Sequence, residues 1–200
     1  SEITVPLREQ LSRPLVSMVM VLHNGLNVTH HAIRSILRCT QKHSYELILV
    51  DNGSEDGTSH YIQELEQLFP HIRIISMQGN KGFAPANNAG FKAARGELIL
   101  AINNDVVVTP GWLNPMVDLL LQSAEFGITG PVTNQITGHQ QLEEVGYDTY
   151  ALEGLDAFAR RQSAKFEGSY VSVKRVVGFA MMFKRELLEK IGGFDTRYLL

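Results

Sequence analysis

Three polar side chains in a row, Asn103-Asn104-Asp105, end the apolar run Ile99-Leu100-Ala101-Ile102 and precede the β-branched run Val106-Val107-Val108. A strand buried on both faces reads as a near-continuous apolar segment, and open α/β sheets place ligands at the carboxyl ends of such strands. Asp105 therefore stands where a carboxylate would serve a ligand. Asn and Asp are also ordinary turn residues, so this stretch alone is equally a polar turn between two strands. Three more clusters follow apolar runs in the same way: His23-Asn24, Asp51-Asn52-Gly53-Ser54 and Asn80-Lys81-Gly82-Phe83.

The elements that would position these clusters follow from periodicity. Residues 1–14 read as an extended lead-in. Leu15 to Leu22, Glu46 to Val50, Ile72 to Ile75 and Glu97 to Ile102 read as buried strands. Between them lie helices: one bearing Ala32, Ile33, Ile36 and Leu37, capped by Asn27 or Thr29; one bearing Tyr61, Ile62, Leu65, Leu68 and Phe69, capped by Thr58 or Ser59; and one from Ala84 to Arg95. Thr109-Pro110 predicts a further helix start, with Leu113, Met116, Val117, Leu120 and Leu121 on its buried face. Gly127 to Val132 and Val176 to Phe183 read as strands, and Arg185 to Ile191 as a helix ended by Gly192-Gly193 in a left-handed cap. Trp112 belongs to a helix-face core on this reading, and Cys39 is a buried structural thiol. Alternating strands and helices predict a three-layer α/β fold, a mostly parallel sheet flanked by helices. All four polar clusters then share one sheet edge, which favours a ligand site over scattered turns.

The chain has 200 residues, a formal net charge of −3, 20% charged residues and a single Cys. No basic stripe is present, which argues against a nucleic-acid partner. One Cys excludes an internal disulfide framework, and no apolar stretch is long enough for a transmembrane segment. A cytoplasmic location is expected. The Gly-x-Gly-x-x-Gly dinucleotide fingerprint, the phosphate loop of nucleotide hydrolases and the Gly-x-Ser-x-Gly elbow are all missing, and the seven His residues have no metal-ligand spacing.

Four ordered motifs together resemble the family 2 glycosyltransferases, which have the GT-A fold. They are Val19 to Asn24; Ile48-Leu49-Val50-Asp51-Asn52-Gly53-Ser54-Glu55-Asp56-Gly57-Thr58; Asn80-Lys81-Gly82-Phe83-Ala84-Pro85-Ala86-Asn87-Asn88-Ala89-Gly90; and Asn103-Asn104-Asp105 at the place of that family's Asp-x-Asp metal motif. Val177 to Phe183 and Gly192-Gly193-Phe194-Asp195 resemble its acceptor-side strand and turn.

The resemblance implies a site for a nucleotide-diphosphate sugar donor, with a glycan or lipid-linked acceptor. His23 and Asn24 would meet the nucleotide, with the imidazole stacked on the base. Asp51 would accept hydrogen bonds from a pyrimidine edge, and Asn52 and Ser54 would belong to the same donor site. Asn80, Lys81, Gly82 and Asn88 would line the nucleotide and sugar pocket. Asn104 would contact ribose or sugar, Asn103 would belong to the donor site, and Asp105 would hold Mg²⁺ or Mn²⁺. Asn103 replaces the first Asp of the motif, so one carboxylate remains, and metal affinity without donor is expected to be weak. The family's general-base acid pair would fall after Leu200, so no catalytic base is expected within the chain, and Asp195 is read as a turn carboxylate. Donor binding with little or no transfer by these 200 residues alone is the corresponding expectation.

On this reading residues 15–133 form the donor half and 134–200 an incomplete acceptor-side half. The long loop at 134–174 offers His139, Glu143, Glu144, Tyr147 and Tyr150 to the acceptor. A peripheral position at the inner face of the membrane is compatible with a lipid-linked acceptor. Two other readings stay open: a donor-binding module without catalysis, and a sugar nucleotidyltransferase. The second would want a Gly-rich, basic phosphate loop near the first strand, and Leu15 to Asn27 contains no Lys or Arg.

Overall fold

A computed structural model describes residues 14–40 and 44–197. The lead-in expected over 1–14 thus lies outside the described residues except for Pro14. A six-stranded sheet in the order β3-β2-β1-β4-β6-β5 forms the centre. Strands β1 (Val16–Leu22), β2 (Tyr45–Asp51), β3 (Ile72–Ser76) and β4 (Leu98–Asn103) are mutually parallel. β6 (Ala180–Lys184) runs antiparallel to β4, and the two-residue β5 (Ile128–Thr129) runs antiparallel to β6.

Strand residues alternate between two cores because successive side chains point to opposite faces. Val16, Met18, Met20 and Leu22 of β1, with Leu47, Leu49, Leu98, Leu100 and Ile102, pack beneath α1 (Leu26–Cys39), α2 (Thr58–Leu68) and α4 (Asn114–Gln122). Val19, Ile48, Val50, Ile99 and Ala101 pack on the other face, against α3 (Phe83–Ala93) and α6 (Arg185–Ile191). Gly90 lets α3 lie close on the sheet, since a Cβ there would fall 2.2 Å from Val19 Cγ1. α5 (Leu155–Lys165) is held to α1 by the Arg38–Asp156 ion pair at 2.7 Å.

A buried carboxylate locks the amino edge of the sheet. Glu46 is 1% exposed and faces Ser17 across the β1–β2 register. It accepts hydrogen bonds from Ser17 Oγ at 2.7 Å, the Arg95 backbone N–H at 2.7 Å, Arg95 Nε at 3.0 Å and Arg73 Nη1 at 2.9 Å.

Several local expectations are corrected. Neither Asn27 nor Thr29 caps α1: Asn24 (φ 59°) and Gly25 (φ 76°) turn the chain in the left-handed region, and the helix starts at Leu26. α2 likewise begins at Thr58 after Gly57, so Thr58 and Ser59 lie inside it. α4 does not start at Thr109-Pro110, because Gly111 (φ 81°) breaks the backbone there; Thr109 to Trp112 is a turn and the helix begins at Asn114. Trp112 is therefore off the helix, half-buried, and donates from Nε1 to Thr40 Oγ1 at 3.1 Å. Leu121 and Leu68 point outward, 51% and 71% exposed, and Cys39 is half-buried.

Val176 to Phe179 precedes rather than joins β6. The Val176 side chain packs toward Gly130, while the Phe179 carbonyl accepts the Asn103 N–H at 2.8 Å. Gly192 ends α6 at φ 80° but ψ −174°, an extended exit rather than a left-handed cap. Residues 134–200 supply β6, which bonds to both β4 and β5, so both halves of the chain build one sheet. Their last three residues lie outside the description.

Candidate functional site

Because β1 to β4 are parallel, the segments that follow them all emerge at one edge. The strand order reverses between β1 and β4, and such a reversal opens a crevice at the carboxyl ends. His23 to Gly25, Asp51 to Ser54, Gly79 to Gly82 and Asn103 to Asp105 surround it.

Most polar atoms in these segments bind one another. The Asn24 N–H donates to Ser54 Oγ at 2.9 Å, and Asn24 Oδ1 accepts the Glu55 N–H at 2.7 Å. Buried Asn52 donates from Nδ2 to Asn80 Oδ1 at 2.9 Å and accepts the Lys81 N–H at 2.9 Å, so it holds the loop after β3. Asn80 Oδ1 also accepts the Gly82 N–H at 2.9 Å. Asp51 is buried and organises its own turn, taking the Ser54 N–H at 2.9 Å on Oδ1 and the Ser59 hydroxyl on Oδ2. Asn104 Nδ2 donates to Thr29 Oγ1 at 3.0 Å, which ties the end of β4 to α1. Asn88, about 1.4 turns into α3 by its distance from Phe83 in sequence, exchanges two hydrogen bonds with the Phe194 backbone, each 2.8 Å.

Four side chains are left over. His23, Lys81 and Asp105 are exposed and Asn103 is half-buried, and none of the four has a side-chain hydrogen bond or ion pair among the described residues. An aromatic ring, an ammonium, an amide and a carboxylate are thus free at an edge most of whose other polar side chains are engaged. No group of three or more metal-ligating residues forms among the described residues. Asp105 fits a hard cation that keeps several waters and is shared with a ligand's phosphates; it does not fit an all-protein cage.

Asp56 escaped the sequence reading. Its Oδ2 accepts the Leu26 N–H at 2.9 Å, and its Oδ1 accepts the Thr58 N–H at 3.1 Å and the Thr58 hydroxyl at 2.6 Å. One carboxylate therefore serves the first N–H groups of two helices whose own N-cap positions are Gly. The Thr58 hydroxyl, and then the Leu26 amide, hold its pKa down at about 2. An Asp-Gly pair just ahead of a helical stripe was the available signal.

On the acceptor side, Asp195 is bound by Arg197 Nη2 at 2.6 Å, and that guanidinium holds its carboxyl below the ordinary range. Of the five residues offered by the long loop, Tyr147 packs on Phe158 with ring centroids 5.4 Å apart, and Tyr150 is 99% exposed. Among the described residues, none of the five hydrogen-bonds to the four edge segments.

Gly53 supports the whole arrangement. Its φ is +83°, and an added Cβ would sit 2.7 Å from the backbone of Gly79. Gly53→Ala should cost about 2 kcal/mol through left-handed strain and overpacking. Thermal denaturation should show a Tm lower by roughly 4–8 °C. An unchanged Tm would mean that the two turns do not press on each other.

The model of glycosyl transferase family 2 matches residues 17–192. The chain is 30% identical over 198 residues to the uncharacterized protein y4gI of Sinorhizobium fredii, which covers 93% of this chain and 21% of that one. It is 27% identical over 119 residues to the putative teichuronic acid biosynthesis glycosyltransferase TuaG of Bacillus subtilis, covering 59% of this chain and 47% of TuaG. Among solved structures it resembles the mannosyltransferase PcManGT of Pyrobaculum calidifontis in complex with GDP-Man and Mn²⁺. There the TM-score is 0.65 and the identity 20%, over 93% of this chain and 49% of that one. The chain thus spans half or less of the length of each of these proteins.

Proposed function

This chain belongs to glycosyl transferase family 2, a family of enzymes with the GT-A fold, and from that premise we propose that its carboxyl-edge crevice binds a nucleotide-diphosphate sugar for transfer to an acceptor hydroxyl. The observation that carries the reading is the interlocked edge, with His23, Lys81, Asn103 and Asp105 left without side-chain partners among the described residues around the strand-order reversal. In this reading His23 stacks on the base, and Asp51 accepts from the base edge with the lone pairs that its turn leaves over. Lys81 and the Asn80–Gly82 loop face the donor, with Asn103 and Asn104 toward ribose or sugar. Asn24, Asn52 and Ser54 hold those loops in shape.

Transfer is an inverting single displacement. The acceptor oxygen bonds to the anomeric carbon as the bond to the β-phosphate oxygen breaks, and the nucleoside diphosphate leaves with the bonding pair. The hydroxyl proton goes to a general base. Asp105 would hold Mg²⁺ or Mn²⁺, which supplies charge stabilisation to the departing diphosphate. The mannosyltransferase bound to GDP-Man and Mn²⁺ supports that role, and the name of TuaG supports polysaccharide assembly with a glycan or lipid-linked acceptor. No described helix is long and apolar enough to cross a membrane. We place the domain in the cytoplasm, peripheral at the inner face of the membrane.

The test is a thermal-shift panel of nucleoside diphosphates and nucleotide sugars, with and without Mn²⁺. A ligand at 100 times its Kd adds about 2.7 kcal/mol. At least one nucleoside diphosphate should raise Tm by several degrees, more with Mn²⁺ than without. A panel in which none raises Tm at millimolar concentration would refute the reading. Binding without transfer by the full-length protein would leave a donor-binding module.

A further inference from the structure

We propose that Asn88 is a positioning residue rather than a donor ligand: it registers the acceptor-side turn Gly192–Asp195 against the helix that carries the donor loop, an inference that rests on the glycosyltransferase reading. The side-chain amide treats residue 194 as a strand treats its neighbour. Nδ2 donates to the Phe194 carbonyl and Oδ1 accepts the Phe194 N–H, both at 2.8 Å and across 106 positions of sequence. Two opposed bonds to one backbone unit fix orientation as well as distance. Asp lacks the donor for such an exchange and Ala lacks both groups.

The residues around the amide are arranged for this contact. A Cβ on Gly193 would fall 2.2 Å from Asn88 Oδ1, so only Gly lets the turn come this close. The Phe194 ring stacks on Phe83 at 5.8 Å and meets Phe91 edge-on at 5.2 Å. Phe83 directly follows Gly82, the last residue of the donor loop, and Asn52 binds the Gly82 carbonyl side of that loop through Nδ2 at 3.4 Å. The place of the turn relative to the donor loop, which Asn52 and Asn80 hold independently, is thus set through the Asn88 amide and this aromatic cluster. Reacting groups must be aligned to a fraction of an ångström, and a misplacement of about 1 Å can cost roughly 10²-fold in rate. Asn88 sets that alignment without touching the reacting atoms.

The experiment compares Asn88→Ala, Asn88→Asp and wild type in the full-length protein. It measures donor affinity by Mn²⁺-supported thermal shift, steady-state transfer, and hydrogen exchange at the Phe194 amide. Asn88→Ala should leave donor affinity and donor KM within about 2-fold, lower kcat by roughly 10²-fold and abolish protection at Phe194. Asn88→Asp should match it at neutral pH, where a carboxylate faces the Phe194 carbonyl. Relative to wild type, Asn88→Asp should recover in acid, where the neutral carboxyl can donate one bond and accept the other. A loss of donor affinity of 10-fold or more with Phe194 still protected would make Asn88 a donor ligand and overturn the proposal. Unchanged kcat with active wild type would overturn it alone. Wild type without transfer of any nucleotide sugar would instead overturn the enzymatic reading beneath it.

Discussion

Asp105→Ala should abolish the Mn²⁺-dependent part of nucleotide-sugar binding and lower transfer roughly 10²- to 10³-fold, the loss typical when a group that stabilises developing charge is removed. Asp105 is exposed and has no hydrogen bond among the described residues, so its removal exposes no buried partner. Tm without ligand should therefore stay unchanged, within about 0.5 kcal/mol of stability. Asn103 supplies no second carboxylate, so the loss should be nearly complete instead of shared. Binding assayed without metal should change little in the same variant. Transfer that survives at wild-type level, with its Mn²⁺ dependence intact, would remove Asp105 from the site.

Glu46→Ala should have the largest effect on stability, about 3 kcal/mol, because it deletes a buried acceptor from a hydrogen-bonded charge network. Arg73 and Arg95 reach solvent and can be rehydrated. The Ser17 hydroxyl and the Arg95 N–H lose their carboxylate inside the sheet edge. Tm should fall by roughly 6–12 °C. Burial pushes the Glu46 carboxyl up, but the bonds from Ser17, Arg73 and Arg95 outweigh it and hold the pKa below the ordinary value of 4.5. The sign follows from linkage. The folded pKa is depressed, so this stabilisation is complete above the unfolded value and drains away as pH falls through the folded one. Wild type should lose stability below about pH 4.5 more steeply than Glu46→Gln does. A Tm change under 2 °C, or parallel acid profiles, would refute the assignment.

The sheet was largely legible because its strands are buried on both faces and read as unbroken apolar runs, as in Met18 to Leu22 and Leu47 to Val50. The four clusters were legible as one site for a related reason: parallel strands bring their carboxyl ends to a common edge. What stayed hidden depends on partners far apart in sequence. Asn88 as a clamp and Asn88 as a ligand look identical until Phe194 is placed beside it. Asn52 hides in the same way, since its partners lie 28 and 29 positions away. Helix starts failed where glycines of positive φ, Gly25, Gly57 and Gly111, decided them. Glu46 carried an unused signal, a lone charge opening the run Leu47 to Val50, as Asp56 did in its Asp-Gly pair.

The contact between β5 and β6 has a consequence for how such a domain can be re-equipped. The chain leaves the sheet after Thr129 and re-enters at Ala180, and Thr129 sits beside Met182 in the ladder. Both ends of the excursion are therefore pinned by neighbouring strands, whatever lies between. Closing a flexible loop costs only about 0.6 kcal/mol more for each doubling of its length. Residues 142–174 can thus change in length without moving the register of the strands that hold the donor edge, whereas Phe179, whose carbonyl accepts the Asn103 N–H, stays part of that edge.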